Sequence, residues 1–293
     1  MSTAIGKKKY RSVGDTIFNS IIFFVLASLI IVTVYPFWNT IAISFNDGLD
    51  SVKGGIHLFP RKFTWQNYKA LFIDDRLLKA FIISVTRTVL QTGISVFCTC
   101  MLAYSLSRKE FVAKKAFTIV LVISMYVSAG LIPSYMLIKN LGMLRSYAVY
   151  IIPNIVDVFN FILVRTYING LPDSFVESAR IDGAGEFKIL FRIVLPLSLP
   201  IITTISLYYA VSHWNVYTAA ILYIQDANKM PLQVILRRMI DAARTIDLNV
   251  EDEMPPETMR MAAVCIATAP IIVIYPFIQR YLVQGTLAGA VKG

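Results

Sequence analysis

Six stretches of this chain run apolar for about twenty residues or more, and that pattern leaves few folds open. They lie at Ile17 to Ile43, Ala80 to Leu106, Ala116 to Ile138, Tyr147 to Ile168, Leu197 to Tyr223 and Met261 to Tyr281. A helix rises 1.5 Å per residue, so about 20 apolar residues cross about 30 Å of hydrocarbon. A hydrophobic share of 56% and a mean hydropathy of +0.63 exceed what a soluble domain carries, roughly 45–50% with glycine included. The expected fold class is an all-α integral membrane protein with six transmembrane helices. No low-complexity linker or shift in composition marks a second soluble domain, so residues 1–293 read as one membrane domain.

Cys98, Cys100 and Cys265 all fall inside apolar runs, where they behave as small hydrophobes rather than as a disulfide framework. The first run follows the basic start Lys7 to Arg11. It is longer than a signal-peptide core and has no small-residue cleavage site, so it is expected to stay as the first span. Basic residues divide nearly evenly between the two sides, so the start Lys7 to Arg11 and the next short connection on its side decide the orientation, while acids, fewer on that side, bear only on the net charge. The short connection Ser107 to Lys115 holds four basic residues and one acid. The positive-inside rule therefore places both termini in the cytoplasm. The net charge of +10 is then mainly a property of the cytoplasmic face, which argues against nucleic acid as the partner.

Between the fourth and fifth runs lies a polar, glycine-broken segment, residues 171–196, with the sequence ESARIDGAGEFKILFRIVLP from Glu177 to Pro196. Pro172-Asp173-Ser174 is a helix start, and Ser174 with Glu177 three residues on fits a capping box. A short helix over about Phe175 to Asp182 is expected. Gly183 and Gly185 then permit a tight or left-handed backbone, and a second helix ends at Pro196. On local physics alone, a connecting amphipathic helix explains the segment as well as a docking element does. On the opposite side, residues 224–260 form a polar loop, in which Leu232, Ile235, Leu236, Met239 and Ile240 recur at helical spacing. They predict an amphipathic helix lying on the membrane surface or inserted into a docked partner.

The spacing from Glu177-Ser178-Ala179 through Gly183 to Ile193, Leu195 and Pro196 resembles the EAA loop of ABC importer permeases, with Ser178 in place of the usual middle alanine. Other stretches are similar to the carbohydrate-uptake branch of type I ABC importers, nearest to the smaller maltose-permease subunit. They include Tyr35-Pro36-Phe37, Leu58-Phe59-Pro60, Thr64-Trp65-Gln66-Asn67-Tyr68, Ala103-Tyr104-Ser105-Leu106-Ser107-Arg108, Trp214-Asn215 and Pro231-Leu232-Gln233. The resemblance implies the type I ABC importer permease fold in a bacterial cytoplasmic membrane. It also implies a second permease subunit, two copies of a cytoplasmic ATPase, an extracytoplasmic solute-binding protein, and a sugar or oligosaccharide as cargo. By carry-over, Glu177, Ser178, Ala179, Asp182, Gly183, Ala184 and Gly185 form the ATPase-coupling surface. The 224–260 loop would reach into the binding protein, and the tail from Gln279 to Gly293 would extend toward the ATPase dimer. The chain has no GxxxxGK[ST] loop, so it is read as binding no cofactor and catalysing nothing, with ATP and Mg held by the partner ATPase.

Ionisable groups at membrane depth are costly and mark functional candidates. Arg87 lies close enough to the outer end of its run to snorkel outward, and Arg165 sits near the inner end of its own. Asn154, Asp157 and Asn160 are three residues apart and predict a polar stripe on one helix face, lining a path or bonding a neighbour. Tyr208, Tyr209, Ser212, His213, Trp214, Asn215 and Tyr217 are residue types that stack on and hydrogen-bond to sugars, and also types that pack helices together. Asn154, Asp157, Tyr208, Ser212, Trp214 and Asn215 are the candidate substrate-path residues. The alternatives are an ion-coupled secondary transporter, for which Asp157 alone is slender support, and an ABC permease for a non-sugar solute. Two histidines, His57 and His213, supply no metal-ligand spacing.

Overall fold

A computed structural model describes residues 13–73, 75–242 and 257–290. The basic start Lys7 to Arg11, most of the loop after Ala242 with its Pro255-Pro256 pair, and the end of the Gln279 to Gly293 tail lie outside the described residues. Among those residues the regular elements are helices, with one isolated antiparallel bridge between Asn46 and Phe63. In chain order they are α1 (Val13–Ser44), α2 (Gly48–Ser51), α3 (Gln66–Ile73), α4 (Asp75–Ser107), α5 (Lys114–Tyr126), α6 (Leu131–Asn140), α7 (Ala148–Ile151) and α8 (Val158–Asn169). Then follow α9 (Ser174–Ile181), α10 (Glu186–Ile189), α11 (Leu195–Leu197), α12 (Leu199–Asn215), α13 (Thr218–Tyr223), α14 (Leu232–Ala242) and α15 (Glu257–Ala290).

The described residues divide into two compact units, one of residues 13–71 with 257–265 and the other of residues 72–242 with 266–290. In the first, α1 is apolar on every side and exposes Phe23, Phe24 and Val32, as a helix solvated by lipid does. Its last turns hold the following loop: Trp38 Nε1 donates to the Leu58 carbonyl and Asn39 Nδ2 to that of Ile56, both at 2.7 Å. Two buried amides lock the loop. Asn46 Nδ2 donates to Ser51 Oγ at 2.8 Å while its Oδ1 accepts from the Lys62 N–H at 2.8 Å. Asn67 Nδ2 donates to the carbonyls of Ser44 and Asn46, and its Oδ1 accepts from Thr258 Oγ1 at 3.0 Å. Burying these amides is tolerable because their polar atoms are paired.

In the second unit, α4 is the axis on which α8 and α12 pack. Phe161 and Val164 of α8, Ala103 of α4 and Ile205 of α12 have no measurable exposure and form its centre. Val176 and Ala179 of α9 and Ile189 and Leu190 of the next segment join the same cluster. A smaller cluster around Val149, Tyr150, Ala220, Ile224 and Val234 ties α7, α13 and α14 together. The expected amphipathic helix is α14, and it packs on this chain: Leu232 and Val234 are fully buried and the Leu232 N–H donates to Ser84 Oγ of α4 at 2.8 Å.

Several apolar runs that read as continuous are interrupted. By length and composition α1, α4 and the Glu257–Pro276 part of α15 can each cross a membrane, and two bent pairs raise the number to five. One pair, Ala148–Asn154 with Val158–Asn169, bends by 52°; the other, Glu186–Leu197 with Leu199–Asn215, bends by 83°. The run from Ala116 to Ile138 is two helices, α5 and α6, separated where Gly130 takes φ +83°. Hydropathy is blind to such breaks because each link is only one to four residues long and a window of about twenty averages over it. The polar stripe expected along one helix is therefore corrected: Asn154 ends a 3-10 turn, Asp157 caps the next helix, and only Asn160 lies within α8.

Candidate functional site

The segment between the fourth and fifth runs folds as a helix, a left-handed turn and a second helix. α9 stops in a Schellman arrangement: the Ala184 N–H reaches back to the Ala179 carbonyl and the Gly183 N–H to that of Arg180, both at 2.9 Å. Such a stop needs one residue with positive φ, and Gly183 supplies it at +75°. Gly185 is different. Its φ of −71° and ψ of 161° are open to any residue, so the expected need for glycine there is corrected. The second helix runs from Glu186 through a π-helical turn, Leu190–Val194, to Leu197, and the chain bends at Ser198. The π turn feeds Pro196, whose missing N–H breaks the regular pattern nearby.

The expected capping box is also corrected. Ser174 is already the first helical residue, and the capping residue Asp173 gives no side-chain cap bond. Its carboxylate is drawn instead to Lys109 Nζ at 2.5 Å. Glu177 is exposed and makes no side-chain hydrogen bond among the described residues. Ser178, Asp182 and Gly183 are exposed with it, Ala184 is half-buried, and Ala179 faces inward at 8% exposure. Ala179 is thus part of the packing under α9, where a larger side chain would push the helix off its bed. Three apolar side chains that sequence reasoning passed over, Phe175, Ile181 and Phe187, stand exposed around this surface. Ile181 at 86% exposure has no packing role to explain it.

Charge holds α9 from beneath. Arg180 pairs with Glu110 of the α4–α5 connection and, through Nη2 at 2.8 Å, with Glu186 at the start of α10. Glu186 Oε2 also accepts from Tyr104 OH of α4 at 2.5 Å. The Arg180 hydrogen bond holds the Glu110 carboxyl down at about 2. Arg180 is in turn raised, first by Glu110 and then by Glu186. Lys109 lowers Asp173 in the same way. Both ends of α9 are therefore tied to the short basic connection after α4.

A second feature is a recess of about 840 Å³ in the α4, α8 and α12 unit. Asn154, Asp157, Tyr208 and Ser212 line it, as do Arg87 and Gln91 of α4. Trp214 and Asn215 do not line it: the Trp214 indole donates to the Ala267 carbonyl at 2.9 Å, and the Asn215 amide to that of Val211 at 2.8 Å. Asp157 Oδ1 accepts the Asn160 N–H at 2.8 Å as the cap of α8. Tyr209 OH bonds Thr99 Oγ1 at 2.7 Å and accepts the Asp157 N–H at 2.8 Å, joining all three helices. Arg165 Nη1 donates to Thr118 Oγ1 at 2.8 Å, bridging α8 and α5.

Arg87 requires the plainest correction. It is 5% exposed and does not snorkel outward: Nη2 donates to the carbonyls of His213 and Val216, the latter at 2.7 Å, and Tyr150 lies with its ring centroid 4.8 Å from the guanidinium carbon. The polar face that sequence reasoning sought on α8 belongs to α4. Ser84, Arg87, Gln91, Ser95 and Thr99 are buried along it. Their recurrence every three or four residues was the available signal.

The family described as binding-protein-dependent transport system inner membrane component matches residues 95–287. The polygalacturonan/rhamnogalacturonan transport system permease protein YtcP of Bacillus subtilis is 38% identical over 284 residues, covering 95% of this chain and 99% of that protein. The trehalose/maltose transport system permease protein MalG of Thermococcus litoralis is 30% identical over 274 residues, covering 90% and 93%. Among solved structures, a chain from the crystal structure of a bacterial ABC transporter involved in the import of the acidic polysaccharide alginate superimposes with a TM-score of 0.87. It is 28% identical and covers 94% of this chain and 100% of that one.

Proposed function

This chain belongs to the family of binding-protein-dependent transport system inner membrane components, and from that premise we propose that it is one permease half of an ATP-driven importer of sugars or oligosaccharides. Its single permease domain crosses the bacterial cytoplasmic membrane six times with both termini inside, α5 and α6 together making the third crossing. A second, related permease completes the path. Two copies of a separate ATPase bind ATP and Mg, and an extracytoplasmic binding protein delivers the cargo. This chain binds no nucleotide and catalyses no reaction.

One observation carries the reading. α9 is a short helix packed on the core through Val176 and Ala179 while Glu177, Ser178, Ile181 and Asp182 point away from it, and Gly183 ends it sharply. A helix exposed in that way suits a cleft on another protein, and its packed face gives that protein a handle on the α4, α8 and α12 core. Sugar as the cargo follows from the relatives' names together with a recess lined by tyrosines and hydrogen-bonding side chains, the usual make-up of a small-molecule site. Purification of the tagged chain from its native membrane tests the assignment. A separate ATPase is expected to accompany it, and Glu177→Lys is expected to release that ATPase and stop uptake while the permease stays in the membrane. Transport that continues without ATP, or an unaltered Glu177→Lys complex, would overturn the reading.

A further inference from the structure

We infer that the path through this subunit is built for an acidic oligosaccharide, with Arg87 as the residue that meets its charge. The inference rests on the permease reading and adds the cargo's charge to it. Arg87 lines the 840 Å³ recess and is 5% exposed. Its bonds to the His213 and Val216 carbonyls engage Nη2 alone, and among the described residues Nε and Nη1 have no hydrogen-bond partner. Among the described residues no carboxylate pairs with it, although seven other ion pairs are present. A guanidinium stays charged at any physiological pH. Bracing the carboxyl-terminal turn of α12 accounts for one nitrogen and the Tyr150 ring covers one face of the guanidinium, but neither supplies a counter-charge. A buried charge left this incomplete is expensive. It is accounted for if the missing counter-charge arrives with the cargo.

Asp157, the carboxylate that lines the same recess, does not supply it. Its Oδ1 is engaged by the Asn160 N–H at the start of α8, where the helix dipole favours a negative charge. A neutral sugar would leave the Arg87 guanidinium as it is, whereas a uronate carboxylate would pair with it.

A second recess points the same way. It holds about 570 Å³ between α4 and α14, and Arg76, Lys79 and Arg238 line it with no acidic residue among its described lining. Arg76 and Arg87 are eleven residues apart on α4, about three turns, so they project within roughly 20° of one another and about 16 Å apart along the axis. Ala80 and Gln91 repeat that relation, one in each recess. The two recesses therefore lie one after the other along a single face of α4, each with a cation from that face. Basic groups in series along a low-dielectric wall draw an anion inward.

The test uses the complete importer in proteoliposomes, with its permease pair, ATPase and binding protein. Two labelled probes of equal length are compared, trigalacturonate and its methyl ester, in which each carboxylate becomes an uncharged ester. Arg87→Gln is expected to lower ATP-dependent uptake of the acid by about tenfold or more, as loss of a charged hydrogen bond does, and to leave ester uptake within about twofold. Arg87→Lys keeps most of the acid uptake. Arg238→Gln, on an exposed turn of α14 where folding is not at issue, lowers acid uptake about threefold at low salt, and the difference disappears at high salt. The binding protein is the same throughout, so a change in the acid-to-ester ratio belongs to the permease. Arg87→Gln and Arg87→Lys lowering both probes alike, or Arg238→Gln leaving the ratio unchanged at low salt, would overturn the inference. A wild-type importer that moves the ester and not the acid with ATP overturns the acidic assignment and leaves the permease reading standing; absence of any associated ATPase removes the reading beneath it.

Discussion

Gly183→Ala separates two explanations of the same glycine. At φ +75° a Cβ added to Gly183 meets nothing within 4 Å, so alanine introduces no clash and its whole effect lies in the backbone. A left-handed conformation costs an L residue roughly 1–2 kcal/mol, and one or two kcal/mol shifts a local equilibrium by a factor of about 5–30. The two Schellman bonds, from Gly183 to Arg180 and from Ala184 to Ala179, depend on that conformation, so alanine depopulates the stop of α9 by about fivefold or more. Asparagine tolerates positive φ, and valine tolerates it least. ATP-dependent uptake in proteoliposomes should therefore rank glycine, asparagine, alanine and valine in falling order, with alanine down by about fivefold or more. If Gly183 mattered because a partner presses against it, bulk would govern and asparagine would be worse than alanine. An asparagine variant below the alanine variant refutes the backbone account.

Other outcomes follow from the bonds already described. Arg180→Gln cuts the ties to Glu110 and Glu186, so the partner's ATP hydrolysis should lose its stimulation by loaded binding protein while membrane levels hold; preserved stimulation would mean that packing alone positions α9. Glu110 at about 2 and a lowered Asp173 stabilise the folded loop fully above the ordinary carboxylate pKa of about 4, and that stability is lost only as pH falls through the depressed values. Coupling should thus stay flat in the inner buffer from about pH 5.5 to 8, and a decline in that window that Glu110→Gln abolishes would contradict it. Tyr209→Phe orphans the part-buried Asp157 N–H and the buried Thr99 hydroxyl, a loss of about 1–3 kcal/mol, visible as a lower thermal midpoint in detergent with an unchanged helical signal.

Local chemistry was legible in the sequence where the chain itself decides the outcome. Gly183 announced a left-handed turn, Pro172 a helix start, and the distance to Pro196 a second helix, and all three are found. Three-dimensional pairing was not legible. Ser174 and Glu177 have the spacing of a capping box, yet the nearby Lys109 and Arg180 draw the neighbouring carboxylates into ion pairs instead. Arg87 read as a side chain with an easy route to water because its depth was counted from the end of its own run, whereas α7 and α12 enclose it. Asp157 read as a charge inside a span and proved to cap a helix that starts there. Each of these misses comes from a helix break or a neighbouring helix that composition does not encode.

The π-helical turn at Leu190–Val194 and the 83° bend at Ser198 determine how a push on α9 travels. A straight continuous rod would carry thrust along the chain into α12, but a rod with a slack turn and a sharp elbow cannot bear load end to end. The stiff route runs sideways, through Ala179, Ile189 and Leu190 into Phe161 and Ala103, where close packing leaves little to compress. Under the coupling proposed above, α4, α8 and α12 would move together as one block, with the elbow as the place that gives.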